Sequence, residues 1–536
     1  MHTMKSSSTK TIKHRTQASA LMSILALCLM PVKATDLIIE SNNTIDASSA
    51  SIPQQNLDIN SDQLINKLEQ LQADVKKKSI AISLEEAIRL GVKYNPTLEI
   101  AFEEIQELEW QLIRAKRKWY PTFKVDGGSP FTGYTWSTFV ENNYAQGPVT
   151  RAIKGDTTPN TAQRKSKSYN TSATARINWD FLDLTRQPDI NAAEDRLRRQ
   201  KLLFNRSARS LILGIQQNYF SIQSRAQLID NFKQIYAINK QQLEILSERQ
   251  SIGMTTVLDV EQTKSQLFSQ LNELIGYTRQ YITQTGQLAE NLALESGQLA
   301  IPLEKAKPQG NWSQSLSQTI DEALHQREEI LAEIAAAEAA EWNGIAALRQ
   351  YLPVFSVQAS GNLFSKNGYD NILINENPNK SKRDTQRWDA GIGIGFRWNV
   401  FDGGISAATA ETQFAKSRKF LARASNSKLQ IRQQVQSSYG SMETAKIGIK
   451  SAEQAYRSAE IAQEAARARF DVGVGDIVSV VQAINLLSIA ARQKSQATLT
   501  YNNSIAELYR YSANWPMASQ KDVNLRIKTN DQTTQQ

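Results

Sequence analysis

The chain has 536 residues, 40% of them hydrophobic, with a mean hydropathy of −0.45 and a formal charge of +9. That average excludes a bundle of lipid-spanning helices, and a single cysteine, Cys28, excludes a disulfide framework or a thiolate metal site.

The first feature in chain order is ASALMSILALCLM, residues 18–30, the one unbroken apolar run. Lys5, Lys10, Lys13 and Arg15 precede it and a small-x-small site ending at Ala34 follows, so residues 1–34 read as a secretory signal peptide. The run falls short of the roughly 20 residues a membrane span needs. Cleavage after Ala34 removes Cys28, His2, His14 and five basic residues with no acidic ones, taking the charge from +9 to +4. The basicity is therefore mostly targeting, and nucleic-acid binding loses its main support. His325 is left alone in DEALHQREE, where it reads as a solvated helix position, so neither a metal site nor a cofactor is expected. Residues 35–80 are rich in Ser, Asn, Asp, Gln and Lys and read as a flexible N-terminal extension, with a short helix over DQLINKLEQLQADV.

From residue 83 the chain is written twice. SLEEAIRLGVKYNPTLE at 83–99 returns as SLSQTIDEALHQREEIL at 315–331, and Trp110, Pro121 and Phe123 return as Trp342, Pro353 and Phe355, 232 positions later. NWDFLD at 178–183 returns as RWNVFD at 397–402, 219 positions later, so the first copy carries 13 more residues in the loop between. Each copy reads helix, strand, loop, strand, long helix, glycine turn, long helix. Repeat 1 is placed at 83–300 and repeat 2 at 312–515, followed by a disordered tail at 516–536.

The strands alternate with period two. In YNTSATARINWDF, Ala173, Ala175, Ile177, Trp179 and Phe181 share a face, opposite Ser172, Thr174, Arg176, Asn178 and Asp180. In WDAGIGIGFRWNV, Trp388, Ala390, Ile392, Ile394, Phe396 and Trp398 alternate with Asp389, three glycines and Arg397. Thirteen alternating residues suit a tilted transmembrane strand, which needs about 9–11, and also fit a soluble sandwich with one wet face. Four such strands cannot close a barrel, and an open sheet edge is forbidden in lipid. A membrane reading therefore requires oligomerisation, and a trimer would supply twelve strands.

Between strands and turns run helices of about 65 residues, roughly 100 Å at 1.5 Å per residue. Pro188 falls in the first turn of one, where proline is tolerated. Ala455, Ala459, Ala462, Ala466 and Phe470 form a small-residue stripe along the other, suited to close side-by-side packing. Each long helix ends at a glycine turn, RQSIGMTTVLDVEQT at 249–263 and RFDVGVGDIVSVVQA at 469–483, 220 positions apart. Beyond each turn a polar stripe follows at spacing three: Thr256, Asp259 and Gln262, then Asp476, Ser479 and Gln482. Val257, Leu258, Val260, Ile477, Val478, Val480 and Val481 lie on the other faces and are expected to pack against neighbouring helices. Asp476 follows two glycines and is read either as a helix cap or as a lumen group. Asp259 lies further in and is read as lumen-lining. No phosphate-binding glycine loop, paired carboxylates or nucleophile motif stands out, so no enzyme is expected.

This order, with SLEEAIRL…NPTLE, the WYP and YLP helix-to-strand switches, and the NWDFLD and RWNVFDGG strand exits, resembles the TolC-like outer-membrane efflux proteins. The resemblance covers about 83–515. It implies a mostly α fold with β, a homotrimer whose four strands per chain make a 12-strand β-barrel in outer-membrane lipid, continued by a long periplasmic α-helical barrel. The implied function is the passive exit duct of a tripartite efflux or type I secretion system. Its partners would be a periplasmic adaptor and an inner-membrane efflux pump or ABC transporter. Gly253 and Gly473 match the family's tip glycine, Met254 and Val474 follow it, and Thr255 and Gly475 fall where the family varies; these six are read as the adaptor-docking tips. Asp259 matches an acidic position lining the closed aperture and Ser479 and Gln482 are its counterparts in the second copy; with Gln262 and Asp476 of the polar stripes they are read as the periplasmic gate. In a trimer the acidic residues would crowd on the axis and raise one another's pKa. Gly475 stands where the family has an arginine gate partner, so that network is not carried over intact, and the extension at 35–80 has no counterpart. The second reading is a periplasmic coiled-coil adaptor, against which stand two duplicated hairpins in place of one.

Overall fold

The computed structural model describes residues 61–137, 162–374, 377–516 and 519–524, all within one compact unit. The signal peptide expected at 1–34 and the first half of the extension lie outside the described residues.

The extension expected to be flexible is ordered from Ser61 onward. It forms helix α1 (Ser61–Lys78), which contains the short helix expected over 62–75, and strand β1 (Ser79–Ile82). Leu64, Ile65 and Leu68 recur at helical spacing and bury against Phe232, Leu267, Leu271 and Leu274. Asp62 meets Lys240 at 2.6 Å, and Gln72 donates to Thr278 at 2.9 Å. Composition predicts flexibility here because it counts polar residues and not the partner that one apolar stripe meets.

The two copies then follow in the same order. The first is α2 (Leu84–Tyr94), α3 (Pro96–Arg117), β2 (Thr122–Ser137), β3 (Ala162–Leu182), α4 (Arg186–Ser251) and α5 (Val257–Asn291), closed by β4 (Leu299–Pro302), which pairs in parallel with β1. The second is α6 (Leu316–Gln326), α7 (Glu328–Leu348), β5 (Val354–Ile374), β6 (Asn377–Arg397), α8 (Ile405–Asp471) and α9 (Ile477–Tyr511). Capping residues start the short helices. Ser83 accepts from the Glu86 N–H, Asn95 accepts from the Thr97 N–H ahead of Pro96, and Ser315 with Gln318 forms a capping box. Where α2, α3, α4 and α9 meet lies a core of Leu98, Phe102, Phe204, Ile212, Ile215 and Tyr219. Val523 joins that core. The tail expected to be disordered from 516 carries a short helical stretch at 519–524, in which Ser519 and Val523 are buried and the Ser519 hydroxyl donates to the Pro516 carbonyl.

The sheet has the order β2-β3-β5-β6, antiparallel throughout, with the long helical excursion between β3 and β5. Its register lines the apolar residues up across all four strands: Phe123 faces Ile177, Ile177 faces Ala359, and Ala359 faces Ile392. One residue along, Lys124, Arg176, Ser360 and Gly391 form the opposite row. Ile392 is 81% exposed and Trp388 76%, so in a single chain this apolar face is covered by nothing. Two indoles pin the sheet to the helices. Trp179 donates to the Trp119 carbonyl at 3.0 Å, and Trp398, its counterpart, donates to the Tyr351 carbonyl at 2.8 Å. Each bond ties a returning strand to the point where its partner leaves the helix. No helix among the described residues is long and apolar enough to cross a membrane.

A one-faced sheet makes a direct prediction. Ile392→Arg should cost roughly 2–4 kcal/mol of folding stability in lipid vesicles if the position lies near the bilayer midplane. Arg at Gly391, on the polar face, should fold into the same vesicles as wild type does. Equal folding of both variants, read by heat-modifiable gel migration, would remove the membrane assignment of this face.

Candidate functional site at the helical tips

α4 runs 66 residues to its turn and α8 runs 67, and each returns as a helix of 35, so the two hairpins match closely in length. Both turns use the same device. Gly253 has φ +75° and Gly473 +77°, a left-handed backbone that only glycine adopts cheaply. Met254 N–H then reaches back to the Arg249 carbonyl at 2.8 Å, and Val474 N–H to the Arg469 carbonyl at 2.9 Å, which satisfies the ends of α4 and α8. Gly475 has a different reason to be glycine. A Cβ there would lie 3.1 Å from the Phe470 nitrogen and 3.2 Å from Arg469, because this residue folds back on the last turn of α8. Thr255, its counterpart, turns its hydroxyl to Asp259 at 3.0 Å.

The return helices are capped with the chemistry exchanged. In the first copy Thr256 is the N-cap, accepting from the Asp259 N–H, and Asp259 accepts from the Thr256 N–H and hydroxyl, a complete capping box. In the second copy the carboxylate is the cap itself: Asp476 accepts from the Ser479 N–H at 2.7 Å. Asp259, read from the sequence as lumen-lining because it lies further in, also caps its helix, because three residues is the reach of a capping box. Both carboxyls have pKa values below the ordinary range. Asp259 is lowered by the Thr256 hydroxyl and N–H, and Asp476 by the backbone and side chain of Ser479. Helix-end hydrogen bonds thus push them opposite to the mutual repulsion expected at the sequence level.

Of the residues in the polar stripes, Thr256, Gln262, Asp476, Ser479 and Gln482 are exposed and Asp259 is half-buried. Behind them Val260, Ile477 and Val480 are buried, with Ile484 and Leu487, and Val481 packs alongside. Val257 and Leu258 do not pack within the chain, nor does Val478, since all three stay exposed. Two features of the tips escape sequence reasoning. The Arg249 guanidinium sits 4.5 Å from the centre of the Phe470 ring and ties one hairpin to the other. Ile252 and Val472, exposed beside Met254 and Val474, complete an apolar pair at each tip. Their recurrence 220 positions apart is the signal that could have found them.

A profile of the family described as outer membrane efflux protein matches residues 94–293 and 319–514, one block in each repeat. The chain belongs to the outer membrane efflux protein family. This efflux protein is an exit duct in the outer membrane, with its helical portion in the periplasm. It is 24% identical over 343 residues to the outer membrane protein TolC of Vibrio cholerae serotype O1, covering 63% of this chain and 76% of that protein. Its fold is similar to the outer membrane channel CmeC of Campylobacter jejuni, with a TM-score of 0.63 at 16% identity over 83% of this chain and 89% of that one. The outer membrane protein VceC of Vibrio cholerae gives 0.60 at 17% over 80% and 96%.

The caps make the efflux protein's tips acid-sensitive in a defined direction. A carboxyl whose folded pKa is depressed gives stability that is complete above its ordinary value of 3.8 and lost as pH falls through the lower folded value. Hydrogen-exchange protection of the first turn of α5 should fall across that acidic window. Asp259→Ala should lack the protection already at neutral pH and show no further acid step. A wild-type protection factor that stays flat through the window would refute the capping role.

Proposed function

We propose that three copies of this chain close one 12-strand barrel and one helical tube, whose tips dock a periplasmic adaptor. An inner-membrane efflux pump or ABC transporter supplies the energy, and the efflux protein conducts passively. The observation that carries this reading is the four-stranded sheet with an apolar face and two unpaired edges, β2 and β6, among the described residues. A sheet in that state is stable in lipid only when further strands pair with its edges. Exposed Val257, Leu258 and Val478 near the tips, and Leu429, Ile447 and Ile461 along α8, offer helix–helix contact between copies.

Docking is assigned to the apolar pairs Ile252–Met254 and Val472–Val474, held beyond the helix ends by Gly253 and Gly473. Thr255 and Gly475 shape these turns, and their exposed neighbours make the contact. Gating is assigned to the stripe of Asp259, Gln262, Asp476, Ser479 and Gln482, which a threefold arrangement would bring towards the axis. Since the caps favour the ionised carboxylates, such a ring would be anionic at neutral pH and attract cations.

Two measurements test these assignments. Met254→Asp with Val474→Asp should abolish crosslinking to the adaptor and export of a dye, while SDS-resistant trimers persist. Retained crosslinking would move docking away from the tips. In planar bilayers, Asp259→Ala with Asp476→Ala should weaken cation selectivity and block by divalent cations. Unchanged selectivity in a correctly assembled double variant would leave both residues with helix capping alone.

A further inference from the structure

The duplication leaves one helix contact closed inside the chain and its counterpart open. β3 pairs with β5, and α4, which leaves β3, packs along α7, which enters β5. β6 and β2 stand at the two sheet edges, where α8 leaves β6 and α3 enters β2. α3 is the copy of α7, 232 positions earlier. α8 is the copy of α4, 220 positions later, since Ile190, Phe204 and Ile215 are buried as Ala410, Ala424 and Val435 are. The packing of α4 on α7 is therefore the pattern for α8 on an α3.

Three bonds hold the seam within the chain. At the sheet end, Arg349 donates to the Leu184 carbonyl at 3.1 Å. Further down, Arg198 pairs with Glu338. At the foot, Arg209 meets Glu328 with 2.7 Å from Nε to Oε1. There Glu329 also takes Arg206 at 3.5 Å, Arg327 at 2.9 Å and Arg510 at 2.7 Å. Ala332, one helical turn beyond Glu328, is only 2% exposed.

The open flanks carry matching parts. Arg117 is the copy of Arg349, exposed and without a hydrogen-bond or ion-pair partner among the described residues. The counterpart of Leu184 is Gly403, 219 positions on in the strand exit. Arg418 is the copy of Arg198 and is likewise exposed and unpaired. Gln106 stands in place of Glu338, with exposed Glu103 one turn away on the same face. Leu429 and Pro96, both exposed, replace Arg209 and Glu328, so an ion pair gives way to an apolar contact with both partners changed together. Ile100 is the copy of Ala332, yet it is 62% exposed. Charge agrees with this match. Residues 416–432 of α8 include six basic and no acidic side chains, while 99–109 of α3 include five glutamates and no basic ones. Of those five, α4 takes Glu104 through Gln200 and Glu109 through Lys201.

We propose that α8 of one copy packs along α3 of the next copy in the register that α4 takes on α7. Arg117 then donates to the Gly403 carbonyl of the neighbouring copy, Arg418 meets Glu103 and Gln106, and Leu429 covers Pro96. This rests on the three-copy reading and adds the register and chemistry of the helical seam. The tube wall then alternates an ionic seam within each chain with a largely apolar-footed one between chains.

The test places thiols across the foot of that seam. In outer membranes, a short bis-maleimide should link Leu429→Cys with Thr97→Cys between copies about tenfold more than Arg423→Cys with Thr97→Cys, whose first thiol lies on another face of α8. Equal linking by both pairs, or linking within single chains only, would overturn the register. SDS-resistant trimers that link through neither pair would overturn the seam and leave the three-copy reading standing, whereas an absence of trimers would remove both. At the sheet end, Arg117→Met should lower the temperature at which the trimers dissociate, and Arg117→Lys should restore part of it. An unchanged dissociation temperature in Arg117→Met would overturn the carbonyl bond.

Discussion

Unpaired backbone at the two sheet edges governs this structure. Every N–H and C=O along the outer sides of β2 and β6 lacks a strand partner among the described residues. In hydrocarbon each such group costs several kcal/mol, far more than any side-chain contact in the sheet can offset. The apolar face makes lipid the suitable solvent for the sheet, and the open edges make a lone chain unsuitable for lipid. Closure by further copies resolves the conflict, and the strand register then fixes which face meets lipid and which meets the lumen. The helices inherit that arrangement through Trp179 and Trp398, whose indoles tie each returning strand to the helix-to-strand switch.

Duplication supplies the frame, and the departures from it carry the specificity. Both tips use a left-handed glycine and the same back-bond, yet the caps exchange a hydroxyl for a carboxylate, so the acids sit at different heights in the two hairpins. The waist departs further. Asn95 caps α3 with its side chain, whereas Arg327 in the same place on α7 makes no such cap and turns to Glu329. The position that ends one helix and starts another in repeat 1 becomes part of an ion cluster in repeat 2. That cluster joins α4, α7 and α9, and so ties the halves of the duplication together away from the membrane.

Much of this was legible in the chain because it rests on local rules. Period-two alternation marked Ile177 and Ile392 as one face, and the register put them in one row. Gly253 and Gly473 marked the tips because a positive φ leaves few alternatives to glycine. What stayed hidden depends on partners distant in sequence. The helix around Leu68 was legible but not the core of α4 and α5 that it enters, and Val523 sits in a polar tail that shows no sign of the core it joins. Arg209 and Arg510 are 301 positions apart and look like ordinary charged helix positions. The capping role of Asp259 went unread although it is local, since its partner is Thr256 and a capping box reaches three residues.

The central claim is that β2 of one copy pairs with β6 of the next around a ring of three. Cys28 is the only cysteine and falls in the signal peptide read at 1–34, so introduced cysteines would stand alone in the processed protein. Cysteines scanned over 123–126 of β2, combined with cysteines over 391–396 of β6, should oxidise between copies in outer membranes. Denaturing gels should then show covalent dimer and trimer and no larger species. Crosslinks confined to single chains, or a ladder running beyond three, would contradict the closed barrel.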